Sequence, residues 1–559
     1  MVIRPDLHDR EVRAVLDGVP PSSGMVNRLR SRYGPPGTAH QLLNVDLDDL
    51  TTVARRGGRV AVPVEDLVDA SLRIAAALDH YPPDAALRRL YIAQNGGDIY
   101  HTSDLLTWLP VTGGPVDVLT DSAVMFPITD GVYVLPRAAD APYIIDAAGA
   151  ISQSTGLLNV EPPLGGVDGC FAMSRAWILT VAAELHFSKP NPTAAGAMTD
   201  WCQDGTCSGV GGRFLLSPYN GGRPVACRPW NRQSIIVFFD RYIEEVIVED
   251  WNSGAFNLQT QAIRNIMEPR YGTSARSSVV SIGQEMFFLD QYGEYRSLVQ
   301  TVNAQQAGVT PLAVSEPIKK ILPGRLTHAH AHKSHAMIWQ DKLYLWVPLD
   351  GSTECNARLV LDLGRRIWTS LDVFSRPSGH TFTTRLRSGG AAGEEMYDTD
   401  GSTGSEASSV IYRTSPLTHT DDGAIIPLVY ETQGFDAGMP ECDKLIDHIE
   451  VEVEGDNETS VVVDVRMSDG GAYHAIPGAV VVTNATGSYP LVYPLAYPIY
   501  PDIAGRVRRR LSVGPNLEVD GRGRMYQFRF RETGSRGKVQ IVRWHAAIRV
   551  QPMTQNVEE

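Results

Sequence analysis

The sequence has no long apolar run. Its longest contenders, such as Ser234 to Phe239, have the length of a strand and fall far short of the roughly 20 residues that a membrane-crossing helix needs. The first 24 residues scatter arginine and aspartate through the segment and contain no apolar core, so no secretory signal is expected. Cysteine is scarce: Cys170, Cys202, Cys207, Cys227, Cys355 and Cys442 are the only six in 559 residues. The spacing of Cys202 and Cys207 suits neither a redox pair nor a zinc knuckle, so free, mostly buried thiols in a cytoplasmic fold are expected. Positive charge is also short, with 50 Lys and Arg against 64 Asp and Glu and a formal net charge of -14. That balance excludes an overall basic surface for gripping nucleic acid. A wall of like charge can still let a duplex slide past, because the phosphate attraction that creates affinity is missing. There is no nucleophile elbow, no HExxH and no ordered Ser-His-Asp set. The glycine-rich stretch from Gly205 to Gly212 lacks the strand and helix that would make it a phosphate cradle. The expectation is a chain without catalysis and without a cofactor.

What the sequence does contain is turn-punctuated strands. The clearest unit runs from Asp341 to Asp372, DKLYLWVPLDGSTECNARLVLDLGRRIWTSLD. Two apolar runs flank Asp350-Gly351-Ser352, and Gly364-Arg365-Arg366 turns into a third strand at Ile367-Trp368, the pattern of an antiparallel all-β module. Related units recur around Asn95-Gly96-Gly97-Asp98, around Thr129-Asp130-Gly131 and through Gln291-Tyr292-Gly293. Residues 86–418, at about 40 to 50 residues per four-stranded blade, accommodate about six to eight blades of a β-propeller. Unrelated hairpins in two stacked sandwiches are the other arrangement. Residues 419–559 carry longer strands, among them IEVEVEG with Ile449, Val451 and Val453 in one phase and Glu450, Glu452 and Glu454 in the other. These predict an antiparallel β-sandwich. Residues 1–85 read as a mixed entry arm, with a helix predicted over Val64 to Leu78.

Four groups of residues could carry chemistry. His328, His330 and His332 alternate, so a strand would point three imidazoles to one face, where a divalent metal or a pH-gated interface is conceivable chemistry. Asp398-Thr399-Asp400-Gly401, with Glu406 beyond, is a loose calcium-loop pattern whose glycine comes too early, and an exposed Asx turn is the alternative. Glu244-Glu245 and Glu394-Glu395 are adjacent carboxylates, but neighbours on a strand face opposite ways, whereas a glycosidase needs two on one face. Arg506, Arg508 and Arg510, in RVRRR, form the one dense basic patch. On a strand they project together, towards DNA, an acidic neighbouring ring or solvent.

Several stretches together resemble the tail hub or nozzle proteins of short-tailed bacteriophages, also called packaged-DNA stabilisation proteins. They are LLNVDLDDLTTVARRGGRV, ELHFSKPNP, the pair SVVSIGQEMFFLDQYGEYRSL and DKLYLWVPLDGSTECNARLVLDLGRRIWTSLD, and the C-terminal GRMYQFRFRETGSRGKVQIVRWHAAIRV. The resemblance implies a propeller and sandwich that assemble with copies of themselves into a ring, a hexamer, in the virion tail. That ring would extend the channel for packaged double-stranded DNA, retain the genome until ejection, and join portal or head-to-tail adaptor proteins to tail fibre, tailspike or needle proteins. The long N-terminal segment departs from the family pattern and leaves the adaptor-facing contacts open. Two readings from other classes stand beside it: a propeller enzyme that degrades polysaccharide, and a carbohydrate-binding adhesin.

Overall fold

The structure, a computed structural model, describes residues 2–3, 12–18, 21–27, 38–47, 52–62, 64, 71–82, 84, 87–112, 119, 123–136, 141–155, 158–194, 199–202, 211–216, 221–248, 262–386, 394–403, 408–436, 444–456, 459–467, 471–482, 506–512, 522–532 and 534–550. From Ile74 to Ser297 successive short strands pair only with their chain neighbours, so each hairpin run becomes a small antiparallel sheet. Blade one is Ile74–His80, Arg89–Gln94, Ile99–Thr102 and Leu109–Pro110. Blade two spans Val124–Pro127 to Ile151–Gln153, blade three Gly166–Ala172 to Gly212–Leu215, and blade four Pro224–Pro229 to Ala262–Glu268. Blade five has three strands, Val280–Ile282, Glu285–Leu289 and Tyr295–Ser297, followed by the helix Leu298–Gln306. Blade six is His335–Trp339, Lys342–Val347, Cys355–Asp362 and the first half of the long strand Ile367–Thr384. The second half of that strand starts blade seven, pairing with Glu395–Asp400, which pairs with Ile411–Ser415. First strands pack on one another through blades one to four, through blades five to seven, and from blade seven to blade one, which places them around a common axis. The all-β propeller expected from turn spacing is therefore the fold.

The ring closes with a strand from the far end of the sequence. Gly58–Val62 is the outer strand of blade seven, with Tyr412 opposite Ala61. Gly58 is required there because a Cβ would lie 2.0 Å from the Thr420 carbonyl oxygen. The other side of the seam is apolar: Ile74, Leu90, Ile92, Tyr100 and Trp108 of blade one and its loops pack against Phe382, Tyr397 and Ile411 of blade seven. This corrects two expectations. Ile74 to Leu78, the end of the predicted helix, is a strand whose side chains divide between two cores, Ile74 and Ala77 on one and Ala75, Ala76 and Leu78 on the other, with a bulge at Ile74 to Ala76; residues 65–70 of that prediction lie outside the described residues. The arm assigned to residues 1–85 also contributes strands to two blades.

The remaining strands form a sandwich from both ends of the chain. One sheet orders Val2–Ile3, Val12–Gly18, Val539–Val550, Lys444–Gly455 and Arg506–Ser512. The facing strands are Ala39–Leu43, Leu428–Thr432, Gln527–Glu532, Thr459–Arg466 and His474–Val482. Between them Ile449, Val451 and Val453 meet Val461, Val463, Val465, Phe528 and Phe530, all fully buried. The Trp544 ring packs at a tilt against Phe528 and Phe530, 5.0 Å and 5.6 Å between centroids. That core runs without a break into blade six through Leu343, Leu345, Leu359 and Leu371, where Leu371 pairs in parallel with Leu43. Between the strands Ala39–Leu43 and Val45–Asp46 the backbone is broken by Asn44 at φ 54°. Its side chain accepts from Arg56 Nε at 3.1 Å and from the Val373 amide at 2.9 Å, and donates to the Pro427 carbonyl at 2.8 Å.

Where sandwich, blade six and blade seven converge, charge is buried. Arg56 pairs with Asp421 at 2.6 Å, Arg59 with Asp398 at 2.6 Å and Arg358 with Asp372 at 2.7 Å. None of the six side chains is more than 5% exposed. All three guanidinium groups stand over the Phe374 ring, Arg59 closest at 4.1 Å. Burial pushes Asp398 above the usual carboxylate range despite Arg59. At Asp421 burial works the same way, but Arg56 outweighs it and the carboxyl sits below that range. Breaking one such pair leaves an uncompensated buried charge. Arg59→Met should therefore lower the unfolding free energy by about 3–5 kcal/mol, read from denaturant midpoints, and the double variant Arg59→Met/Asp398→Asn should recover much of the loss.

A second buried acid, in blade four, gives a pH signature. Glu244 is 2% exposed and burial raises it to about 7 from an ordinary 4.5. Below pH 4.5 folded and unfolded chains are both protonated there, so the group costs nothing. As pH rises towards 7 the unfolded chain ionises first, and stability falls. Glu244→Gln should raise the thermal midpoint at pH 8, by on the order of 3 kcal/mol in stability, and leave it unchanged at pH 4.

Candidate functional site

The propeller topology brings the starts of its inner strands to one mouth, and a cavity of about 460 Å³ lies there. Its walls come from Arg73 just before blade one, Val167 of blade three, Pro224 and Val225 of blade four, and Arg276 before blade five. Lys333, His335 and Glu354 of blade six and Ser378 to His380 of blade seven complete it. Blade two enters through a carbonyl: Arg276 donates to the Ala123 oxygen at 3.0 Å and to the Val167 oxygen at 3.2 Å. One guanidinium thus ties three blades together at the axis.

Charge in this mouth is lopsided. Arg73, Arg276 and Lys333 line it against the single carboxylate of Glu354. Glu354 is shared, 3.6 Å from Arg73 and ion-paired with the Lys333 ammonium. Asp168, one position from Val167, is nearly fully buried, pairs with Arg228 and accepts from the Cys227 amide at 2.8 Å. The imidazoles respond to this field. Burial, then Arg276 and Arg73, depresses His380 to about 4. Burial, then His380, depresses His335 to about 3, and its ring stacks 5.2 Å from Trp346. Both rings are therefore neutral at pH 7. Above pH 6.5 they are neutral in the unfolded chain too and have no effect on stability. As pH falls from 6.5 towards 4 the unfolded chain protonates first, so stability drops. His380→Gln should flatten the decline in thermal midpoint between pH 6.5 and pH 4 relative to the parent protein.

The alternating histidines are not on a strand. His328–Lys333 is a 3-10 turn, whose three-residue period spreads the imidazoles around the turn instead of aligning them. The His330 and His332 rings stand 6.3 Å apart, and His332 faces the axial mouth. Among the described residues no group of three or more His, Cys, Asp or Glu is placed to hold a metal ion. The Asp398 motif is likewise occupied by the fold. Asp398 is committed to Arg59, and Asp400 accepts from the Ser402 amide at 2.8 Å, which is an Asx turn, and from Arg376 at 2.9 Å. Glu406 lies outside the described residues. Cys170, Cys227 and Cys355 are free buried thiols, whereas Cys202 is in a disulfide, which corrects the expectation for that residue; Cys207, Cys442 and most of the Gly205 to Gly212 stretch lie outside the described residues.

Glu244 and Glu245 are both buried within blade four. Glu394 and Glu395 line a smaller cavity of about 310 Å³ beside Arg358 and Asp372, where Asp372 is already held by Arg358.

Arg506, Arg508 and Arg510 do share one exposed phase of the strand Arg506–Ser512. The neighbouring strands, however, set acids beside them. Arg506 pairs with Glu452, Arg508 with Glu450 at 2.5 Å, and Arg510 meets His448 Nδ1 at 2.9 Å. From the other side Arg543 reaches Glu452 and His545 reaches Glu450, each at 2.5 Å. The patch is thus a ladder of surface ion pairs in alternating rows. Sequence reading missed the axial set, because Arg73, Arg276, Lys333 and Glu354 belong to no local motif. Their one shared trait, a place just ahead of an inner strand or beside it, becomes visible only when blade boundaries are known.

The sequence matches no family model and no curated protein. Among solved structures it is similar to BBS1N crystallised with ARL6DN, at TM-score 0.38 and 11% identity over 65% of this chain and 98% of that one. The Cps50 (Swd1) β-propeller domain of Myceliophteria thermophila gives TM-score 0.39 at 8% identity, covering 65% and 99%. YCF48 from Cyanidioschyzon merolae gives 0.34 at 12%, covering 64% and 99%. Scores this low carry no argument about what the chain does, and the strand order above is what defines the propeller. No helix among the described residues is long and apolar enough to cross a membrane.

Proposed function

We propose that the chain is a structural subunit of the tail of a short-tailed bacteriophage, not an enzyme. It closes with copies of itself, six in the family pattern, into a ring that extends the passage for packaged double-stranded DNA. Portal or adaptor proteins adjoin one face, and fibre, tailspike or needle proteins the other. The observation that carries this reading is the fusion of propeller and sandwich through one hydrophobic core, a shared strand pairing and three buried ion pairs. A subunit that bears load between neighbours needs its two bodies fixed relative to each other, whereas default domain interfaces permit motion. The net charge of -14 supports passage of DNA without adhesion, and a single head-to-tail contact per subunit suffices to close a ring.

Native mass spectrometry and electron micrographs of the purified protein, alone and with portal and adaptor proteins, test this directly. Closed rings with a central opening are expected. Monomers under every condition overturn the proposal, as does release of sugars from host envelope polysaccharide by the purified chain.

A further inference from the structure

The axial mouth is not needed for a ring-forming role, yet it concentrates charge where a solid core would do. We propose that it is a binding site for a compact polyanion bearing phosphate or carboxylate groups. Three permanent cations, Arg73, Arg276 and Lys333, line a cavity of about 460 Å³ that offers one carboxylate in return, Glu354. That volume lies in the range of small-molecule sites and is too small for a nucleic acid duplex. Arg276 is fixed by its two bonds to the Ala123 and Val167 carbonyls, so its guanidinium is held in position before any ligand arrives, which cuts the ordering cost of binding. Asp168, next in sequence to Val167 of the wall, is already engaged by Arg228 and the Cys227 amide.

Glu354 occupies the place an incoming oxyanion would take. Its carboxylate bridges Arg73 and Lys333, the arrangement in which an internal acid stands in for a ligand and competes with it. Ser274 and Ser277 add hydroxyls to the same wall, whereas the one N–H of neutral His335 goes to the Lys333 carbonyl, its other ring nitrogen meets the Ser378 hydroxyl, and His380 bonds the Ala75 backbone. Oxyanions match such a donor set through charge-assisted bonds.

The test is isothermal titration of the full chain with inorganic pyrophosphate and, separately, with citrate, at constant ionic strength against potassium chloride. Saturable binding at one site per chain is expected for at least one of the two probes, and which one binds tells phosphate from carboxylate chemistry. Lys333→Gln, at a partly exposed position in the turn ahead of blade six, should weaken it by about tenfold or more. Glu354→Gln should act in the opposite direction and tighten it, because the competing carboxylate is gone. Thermal midpoints without ligand report that each variant is folded; if either is not, Arg276→Lys replaces it and should weaken binding by distorting the fixed fork. Heats that never saturate for either probe, or affinities unchanged in the variants, overturn the proposal.

Discussion

Three arginines and three aspartates without access to water hold the N-terminal strand against the last two blades and the sandwich. Arg56 and Arg59 come from the segment that closes the ring, Asp398 from blade seven, Arg358 and Asp372 from blade six, and Asp421 from the link into the sandwich. Buried ion pairs add little net stability over apolar packing of the same volume, but each is severely costly to break. Their effect here is specificity of position. An apolar seam could slide by a residue, whereas three fork-shaped guanidinium groups around Phe374 admit one register.

Strands on both sides of the propeller in sequence share the sandwich. The strand Val12–Gly18 pairs along its length with Val539–Val550, so both ends share one sheet. Between them the chain builds the propeller, and Gly58–Val62 seals its last blade on the way out. The open edge that a linear array of blades would expose is thereby covered. A continuous core from Trp544 to Leu343 then makes the two bodies one mechanical unit.

The axial mouth is a by-product of the same closure. A ring of inner strands starting at one end gathers whatever residues precede them, from Arg73 to His380. Side chains act on one another there: the field of Arg276 and Arg73 reaches His380 after burial has already disfavoured its charged form. The exposed Arg506 to Arg510 ladder is the opposite case. Its charges stand in water beside acids on the adjacent strands, and each pair contributes little on its own.

Much of the architecture was legible in the residues themselves. The turn chemistry of Asp350-Gly351-Ser352, the two-residue alternation of IEVEVEG and the shared phase of Arg506, Arg508 and Arg510 depend on neighbours in the chain, and local backbone preferences settle them. Other outcomes required contacts hundreds of residues apart. Ile74 to Leu78 carries a helical spacing of apolar residues but becomes a strand, because two cores flank it and only an extended chain can serve both. His328 to His332 alternates like a strand but winds into a turn at the axial mouth. The partner of Arg59 lies 339 positions away and that of Arg56 lies 365. Sequence determined the strands and their turns, since those are short-range; which charges meet was decided by ring closure, since only tertiary packing brings distant carboxylates and guanidinium groups within bonding reach.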